Sequence, residues 1–580
     1  MSSQTGPVVG TQLRTEPARP VGASRRRGVL RRPLVAGTVL VLAYLALSLA
    51  NHPEAYLVSD VGGRVATVRA ADRNGGLDVD LGYWAEAFDP DGTLHPIENA
   101  AKVGGTWVTA GTLPTVLAGV PLWRVAGYRG LLLLPMAGSV LAAFAARRLA
   151  DRLRPGEGWL AFWVVGLASP VALYALDFWD HSLGLGLLAW GFVLAFEVAR
   201  EGPGWGRVAL SGLLLGAAGV LRTEALVYGA VIVFALVVGT LARDRRLARA
   251  AAVGAVVASC AALPLVANDA LERAVLGDSL RAGRTTAYAE EAGDAGLSRR
   301  VEVATITGLG LHGTPGASQM LGAGLLVLVV LVAGWAGTAE DRLARLAAVG
   351  VVGLYLLRIV LDLGFLPGLV AATPLAGVGL ARGWSTPDRR FVALVALVAL
   401  PLVWAVQPTE GVAPVWGARY LLLSGLLLGV LGVVALRELP SWARLGGIVL
   451  AAAVTASGLV WMSVRTHQVA AAVEALDRRP EPVLVSRIGQ LFTEAGGVYD
   501  GQRWLLATSA GELREALAVV DAAGEEEIAV VSLSGGEAPA VAGFCPVGTD
   551  RLRLVLDVRL DVTTYRATAG SCGSAVVHDG

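Results

Sequence analysis

The chain has 580 residues, 54% hydrophobic and only 16% charged, with a formal net charge of +1. Water-soluble domains carry about 25% charged residues, and the deficit here is concentrated in roughly the first 465 positions. A near-neutral chain without a basic stripe or interleaved aromatics gives no nucleic-acid partner; almost every cation is arginine, Lys102 being the only lysine.

Residues 1–32 are polar and Arg-rich ("SRRRGVLRRP"). The apolar run behind them lacks a small-residue cleavage site, so they read as a cytoplasmic tail before a first span. Apolar runs follow near 33–50, 128–147, 158–176, 182–199, 207–221, 225–242, 249–266, 317–336, 343–362, 366–381, 391–407, 420–436 and 443–462. Such runs suit a hydrocarbon core of about 30 Å. The pair 207–221 and 225–242 is short. The expected fold is a polytopic α-helical membrane protein of about thirteen transmembrane helices with a small extracytoplasmic C-terminal α/β domain.

Arginine sets the expected orientation. With the N-terminus inside, the cytoplasmic connections include "RRLADRLRPGEG", "REGPGWGR", "ARDRRLARA", "RGWSTPDRR" and "RELPSWAR", each with two or more arginines. The outside turns "DFWDH", "RTE", "DLGFLP" and "QPTEGVAPVWGAR" hold only Arg222 and Arg419. This is the positive-inside pattern. The expected location is a bacterial plasma membrane, with loops 51–111 and 267–316 and the tail 465–580 outside. The stretch "TLPTVLAGVPLWRVAG" within 112–127 reads as lying along the membrane surface.

The tail alternates strand and helix. "PVLVS", "RWLLAT", "EIAVVSL" and "RLRLVLDVRL" read as strands and "AGELREALAVVDAAG" as an amphipathic helix, giving a partly parallel sheet. Cys545 and Cys572 both fall here and are the disulfide candidates for an oxidising compartment; Cys260, in a span, reads as a small apolar residue. No internal repeat of 20–50 residues, Walker A, GxGxxG, zinc spacing or HExxH occurs.

The chemistry lies at the outside edges. "DFWDH" puts Asp177, Asp180 and His181 between two apolar spans. The first span exits into His52, Glu54 and Asp60. "LRTEA" carries Arg222 and Glu224, and "VWGARYLL" carries Arg419. Titratable groups near a bilayer are costly unless they face a cavity or one another. Acids and arginines on one face suit an anionic ligand and acid/base or metal chemistry. Asp78, Asp80, Asp89 and Asp91 read as solvated loop residues; "FDPDG" hints at calcium but lacks the rest of an EF-hand loop.

Four stretches in this order resemble the GT-C superfamily of integral membrane glycosyltransferases: "VSDVGGR", "DFWDHSLGLGLLAW", "SGLLLGAAGVLRTEAL" and "WGARYLLLSGLLLG". The likeness is strongest to the branch with protein O-mannosyltransferases and lipid A aminoarabinose transferases, covers residues 33 to about 462, and leaves the tail unidentified. It implies transfer of a sugar from a polyprenyl-phosphate donor to a glycan, lipid or protein acceptor on the outer face, with inversion. It implies Asp60 as general base, Asp177 or Asp180 as second acid, and Arg222 and Arg419 as phosphate ligands. Asp180 beside His181 is the preferred pair for orienting the acceptor or holding a metal. Lys102 is a weaker candidate ligand, and Glu224 is a partner for Arg222. Asp60 is followed by "VGGR" rather than a second acid, so a divalent metal is left open and no other cofactor is implied. An O-antigen polymerase or ligase using a polyprenyl-diphosphate donor is the alternative enzyme, and a lipid-linked sugar flippase the alternative transporter.

Overall fold

The computed structural model describes residues 24–97, 100–109, 111–280, 296–311, 316–360, 367–407, 416–489, 491, 502–533, 543–553, 559–568 and 576–579. Cys572 lies outside them.

The helices in chain order are α1 (Ser24–Ser48), α2 (Ser59–Arg73), α3 (Leu113–Leu131), α4 (Leu133–Leu153), α5 (Gly158–Leu167), α6 (Val171–Tyr174), α7 (Asp180–Glu201), α8 (Trp205–Leu221), α9 (Glu224–Asp244) and α10 (Leu247–Leu276). They continue as α11 (Leu297–Leu309), α12 (Ala317–Trp335), α13 (Asp341–Val360), α14 (Leu369–Ala372), α15 (Pro374–Arg382), α16 (Pro387–Val406), α17 (Leu422–Ala435), α18 (Ser441–Asp477) and α19 (Ala510–Ala522). Among the described residues, eight helices are long and apolar enough to cross a membrane, and three shorter apolar ones accompany them.

Two of the spans expected from hydropathy are broken. In 158–176 the break is Ser169-Pro170, between α5 and α6. Proline has no N–H to continue the ladder and disfavours helix at the residue before it. The Ser169 hydroxyl takes over, donating to the Val165 carbonyl (2.7 Å) and accepting from the Val171 amide (3.2 Å). In 366–381 Pro374 does the same between α14 and α15. A third segment, α3, bends where Gly127 takes φ 57°, ψ −143°.

α4 and α7 cross at glycine-to-backbone distance. A Cβ on Gly138 would stand 2.3 Å from the Leu183 amide, and one on Gly186 would stand 2.5 Å from the Gly138 carbonyl. Only glycine allows this approach, and it seats the start of α7 against the middle of the bundle.

The first outside loop contains α2 and a two-stranded hairpin, β1 (Ala100–Val103) and β2 (Thr106–Thr109), paired antiparallel. α2 is apolar on two sides. Val61, Val65 and Val68 join the core of the helical bundle. Ala66 and Ala70 join a second core shared with the tail. The spacings 61/65/68 and 66/70 place each set on its own stripe of the helix.

α18 has 37 residues, about 55 Å at 1.5 Å per residue. It outruns the expected span 443–462 and delivers the chain to the tail sheet. That sheet comprises β3 (Val483–Ser486), β4 (Arg503–Leu506), β5 (Glu527–Leu533), β6 (Phe544–Arg553), β7 (Arg559–Ala567) and β8 (Val576–Asp579), in the order β4-β3-β5-β7-β6-β8. β4, β3 and β5 are mutually parallel, and β7 turns antiparallel. The expected single strand "RLRLVLDVRL" is instead the end of β6 and the start of β7, an antiparallel pair registered Arg553↔Arg559; 554–558 lie outside the described residues. Alternation of apolar residues runs through both arms, so periodicity could not show the reversal.

The tail sits on the first loop. The Leu506 amide donates to the Leu94 carbonyl (2.9 Å), and the Trp84 indole donates to the Trp504 carbonyl (2.9 Å). Asp89 is buried here rather than solvated, because its carboxylate accepts from Tyr83 (2.8 Å), Thr93 and the Leu94 amide (2.9 Å). These bonds lower its pKa against the opposing effect of burial, which is the largest single influence.

Replacing Gly138 by valine should separate α4 from α7. Overpacking of this kind costs about 1–3 kcal/mol. A lower melting temperature in detergent is expected for Gly138→Val, with Gly229→Val, whose Cβ position is open, as the unaffected control.

Candidate active site

Four separate segments bring their polar side chains to one end of the bundle. The first is α2. Asp60 and Arg64 are four residues apart and share a helix face. The second is the turn after α6, where Trp179 takes extended backbone angles (φ −125°, ψ 142°) and α7 begins at Asp180. The third is Arg222-Thr223-Glu224, between α8 and α9. The fourth is Gly417-Ala418-Arg419, where Gly417 and Ala418 both have positive φ (75° and 59°). Alanine rarely adopts this left-handed conformation, at a cost of about 1–2 kcal/mol. The turn is held by the Tyr174 hydroxyl, which donates to the Trp416 carbonyl at 2.9 Å.

The side chains close a ring. Arg419 Nη1 is 3.6 Å from Asp60 Oδ2. Its guanidinium lies over Tyr420 (4.8 Å) and Trp179 (5.1 Å). Arg222 lies over the same Tyr420 ring at 5.7 Å and bonds Glu224 Oε1 at 3.1 Å. Glu224 Oε1 is 3.3 Å from His181 Nδ1, and the His181 ring packs edge-on against Trp179 at 4.4 Å. Gly184, one turn into α7, makes room for Arg222, since a Cβ there would touch its Cγ at 3.0 Å.

Asp60 keeps 31% of its side-chain surface exposed. Burial alone would raise its pKa, but Arg419, then Arg64 and Arg222, outweigh it and hold the carboxyl below the usual range. It is an anion at neutral pH.

Behind the ring lies a second, drier group. Arg64 Nη2 is 3.1 Å from Asp180 Oδ2, both side chains at 3% exposure or less. Thr112 donates to the same oxygen at 2.9 Å. Asp177 Oδ1 accepts from the Tyr128 hydroxyl at 2.9 Å, and burial pushes its pKa up to about 7. Burial thus favours the protonated acid at Asp177.

The expected pairing of Asp180 with His181 does not occur. Consecutive helical residues point about 100° apart, so Asp180 turns to Arg64 while His181 turns to Glu224. Lys102 stands on β1, 2.5 Å from Glu86 and over Trp107 at 5.7 Å, outside the ring. Arg64, Thr112, Tyr128 and Tyr420 escaped the sequence reading. The four-residue step from Asp60 to Arg64 and the Arg-Tyr pair at 419–420 were the available signals.

A divalent cation wants several oxygen or imidazole ligands converging on one point. Among the described residues no three His, Cys, Asp or Glu side chains do so. The acids at positions 60, 180 and 224 each face a guanidinium instead. The described residues do not fit a divalent cation.

No family model matches the chain, and no curated protein matches it. Solved structures do. The apo oligosaccharyltransferase of Archaeoglobus fulgidus is 13% identical, with TM-score 0.45, over 87% of this chain and 69% of that one. Apo ArnT from Cupriavidus metallidurans is 13% identical, with TM-score 0.44, over 93% of this chain and 98% of that one. The Archaeoglobus fulgidus oligosaccharyltransferase AglB in complex with an inhibitory peptide and a dolichol-phosphate is 12% identical, with TM-score 0.44, over 85% and 69%. At this strength none of the three assigns a role to a residue of this chain.

Two expectations follow. Arg64→Met leaves the Asp180 carboxylate buried without its cation, a loss of about 3–5 kcal/mol. The double variant Arg64→Met/Asp180→Leu should recover much of it, read as melting temperatures. Asp177 takes up a proton on folding between its unfolded pKa, near 3.8, and about 7. The folded state binds more protons in that window, so Asp177 lowers stability progressively from pH 4 to 7. Asp177→Asn should therefore raise the melting temperature more at pH 7.5 than at pH 4.5.

Proposed function

We propose that the chain is a membrane glycosyltransferase that moves a sugar from a polyprenyl-phosphate donor to an acceptor hydroxyl on the extracytoplasmic face of a bacterial plasma membrane. The observation that supports this best is Asp60: one partly exposed carboxylate beside two guanidiniums that share the Tyr420 ring, at one end of a bundle of membrane-length helices.

The chemistry runs as a single displacement. The acceptor oxygen attacks the anomeric carbon, its proton passes to Asp60, and the bond from that carbon to the phosphate oxygen breaks with the electron pair leaving on phosphate. Arg222 and Arg419 suit that phosphate because guanidinium forks match its oxygens. Inversion at the anomeric carbon follows from one displacement. The polyprenyl tail stays in lipid while its phosphate reaches the helix ends.

Arg419 couples the two halves of the reaction. In the free protein it faces Asp60 and depresses its basicity. A donor phosphate competes for the same guanidinium. Each hydrogen bond Arg419 gives to phosphate weakens its hold on Asp60 and makes the carboxylate a better base. Donor binding thus arms the base. Glu224 and His181 keep Arg222 oriented from the far side of the ring. Asp180, tied to Arg64 and Thr112, positions α2 rather than touching the acceptor.

The test uses purified protein in lipid with radiolabelled polyprenyl-phosphate sugars and a membrane extract as acceptor. Asp60→Asn should retain donor binding and lose transfer by about 10²–10⁴-fold, the range for removing a general base. Arg419→Gln should raise the KM for donor. Equal transfer by wild type and Asp60→Asn removes Asp60 as base. Movement of donor across the bilayer without transfer replaces the enzyme reading with a flippase.

A further inference from the structure

The far end of the bundle carries a groove separate from the ring. A groove of about 720 Å³ opens between α9 and α16. Ligand sites typically fall between about 300 and 1,000 Å³. Its walls are apolar and outward-facing: Phe234 is 69% exposed, Leu394 52%. Its rim is basic, formed by Arg200, Arg243 and Arg390.

The rim charges are not balanced. Arg200 is 2.7 Å from Asp388, and Arg243 bonds its neighbour Asp244 at 2.6 Å. Arg390 donates to the Trp384 carbonyl at 2.7 Å and has no carboxylate partner among the described residues. Two carboxylates thus answer three guanidiniums. Arg200 is also held over the Phe196 and Phe391 rings, 5.8 Å from each centroid, which fixes it at the groove mouth. The Arg243 guanidinium is fixed by the Val198 carbonyl at 2.6 Å.

Position separates this groove from the candidate active site. α9 starts at Glu224, in the ring, and ends at Asp244, beside the rim. Its 21 residues put about 30 Å between the two ends. The groove therefore lies at the face that the arginine pattern gives to the cytoplasm. Basic pockets between spanning helices on that side suit anionic lipid headgroups.

We propose that this groove is a binding site for one anionic glycerophospholipid of the surrounding bilayer. An acyl chain lies along Phe234 and Leu394, and the phosphate sits against Arg390 and Arg200. The charge excess at the rim selects an anionic headgroup, and the opening toward lipid along both helices admits the chain.

The test is native mass spectrometry of the full chain, titrated with phosphatidylglycerol and with phosphatidylcholine of the same acyl composition. Wild type should hold one phosphatidylglycerol about tenfold more tightly than phosphatidylcholine. Arg200→Gln/Arg390→Gln should abolish that preference. Leu394→Trp fills the groove from an exposed position, keeps all three charges, and should weaken both lipids. Each variant is first shown to elute as a single folded species. Equal retention of the two lipids by wild type, an undiminished preference in the double variant, or unchanged binding in Leu394→Trp would each overturn the site. Stronger retention of polyprenyl phosphate than of phosphatidylglycerol by wild type, reversed in Arg200→Gln/Arg390→Gln, overturns the assigned occupant; retention unchanged in that variant belongs to the Arg222–Arg419 site and leaves the occupant as assigned.

Discussion

Arg64 and Asp180 bring two opposite charges to 3.1 Å where solvent barely reaches either. Neither would be tolerable there alone: an unpaired ion in such a place costs several kcal/mol. The pair therefore acts as a register pin. α2 comes from the first loop and α7 from the middle of the bundle, and nothing in the chain between them is short enough to fix their relative height. The salt bridge does so, with Thr112 completing the Asp180 oxygen. Asp60 sits one turn from Arg64 and so inherits its position. The glycine crossing at Gly138 and Gly186 anchors α7 in turn. Much of the candidate site's geometry descends from these few contacts.

The order of groups in the ring has an electrostatic logic. The two arginines sit side by side with a carboxylate at either end, in the order Asp60, Arg419, Arg222, Glu224, and His181 follows Glu224; aromatic rings lie between the two arginines and beside the histidine. Like charges meet only at Arg419 and Arg222, and there Tyr420 presents the negative face of its ring to both. Under the proposed function, two guanidiniums kept near each other this way are the pre-organised site for the donor phosphate. They need not be gathered when an anion arrives.

Sequence patterning made some of this readable. Hydropathy located the apolar runs, since each run has helix at its place, and the strands at 483–486, 503–506 and 527–533 are short continuous apolar runs, the pattern of strands buried on both faces. The polar stretches at 58–64, 177–181, 222–224 and 416–420 could be picked out because charge near a bilayer is expensive. What could not be read was direction. Asp180 and His181 are neighbours in the chain and opposites on the helix. Asp89 looks solvated beside a Pro and a Gly, yet hydrogen bonds from Tyr83, Thr93 and Leu94 bury it. The breaks at Pro170 and Pro374 were marked by proline, but hydropathy averages over them. The hairpin of β6 and β7 hides inside continuous alternation.

The length of α18 has a mechanical consequence. A helix that runs unbroken from Ser441 to Asp477 behaves as a stiff rod. Spanning helices tilt when the hydrocarbon thickness around them changes. A tilt of this rod displaces its outer end, and with it the sheet that begins at Val483. That sheet grips the first loop through Leu94 and Trp84, and the same loop carries Asp60. Such a tilt loads the contact between the sheet and the first loop, and the Arg64–Asp180 pair, which ties α2 to α7, stands between that load and Asp60.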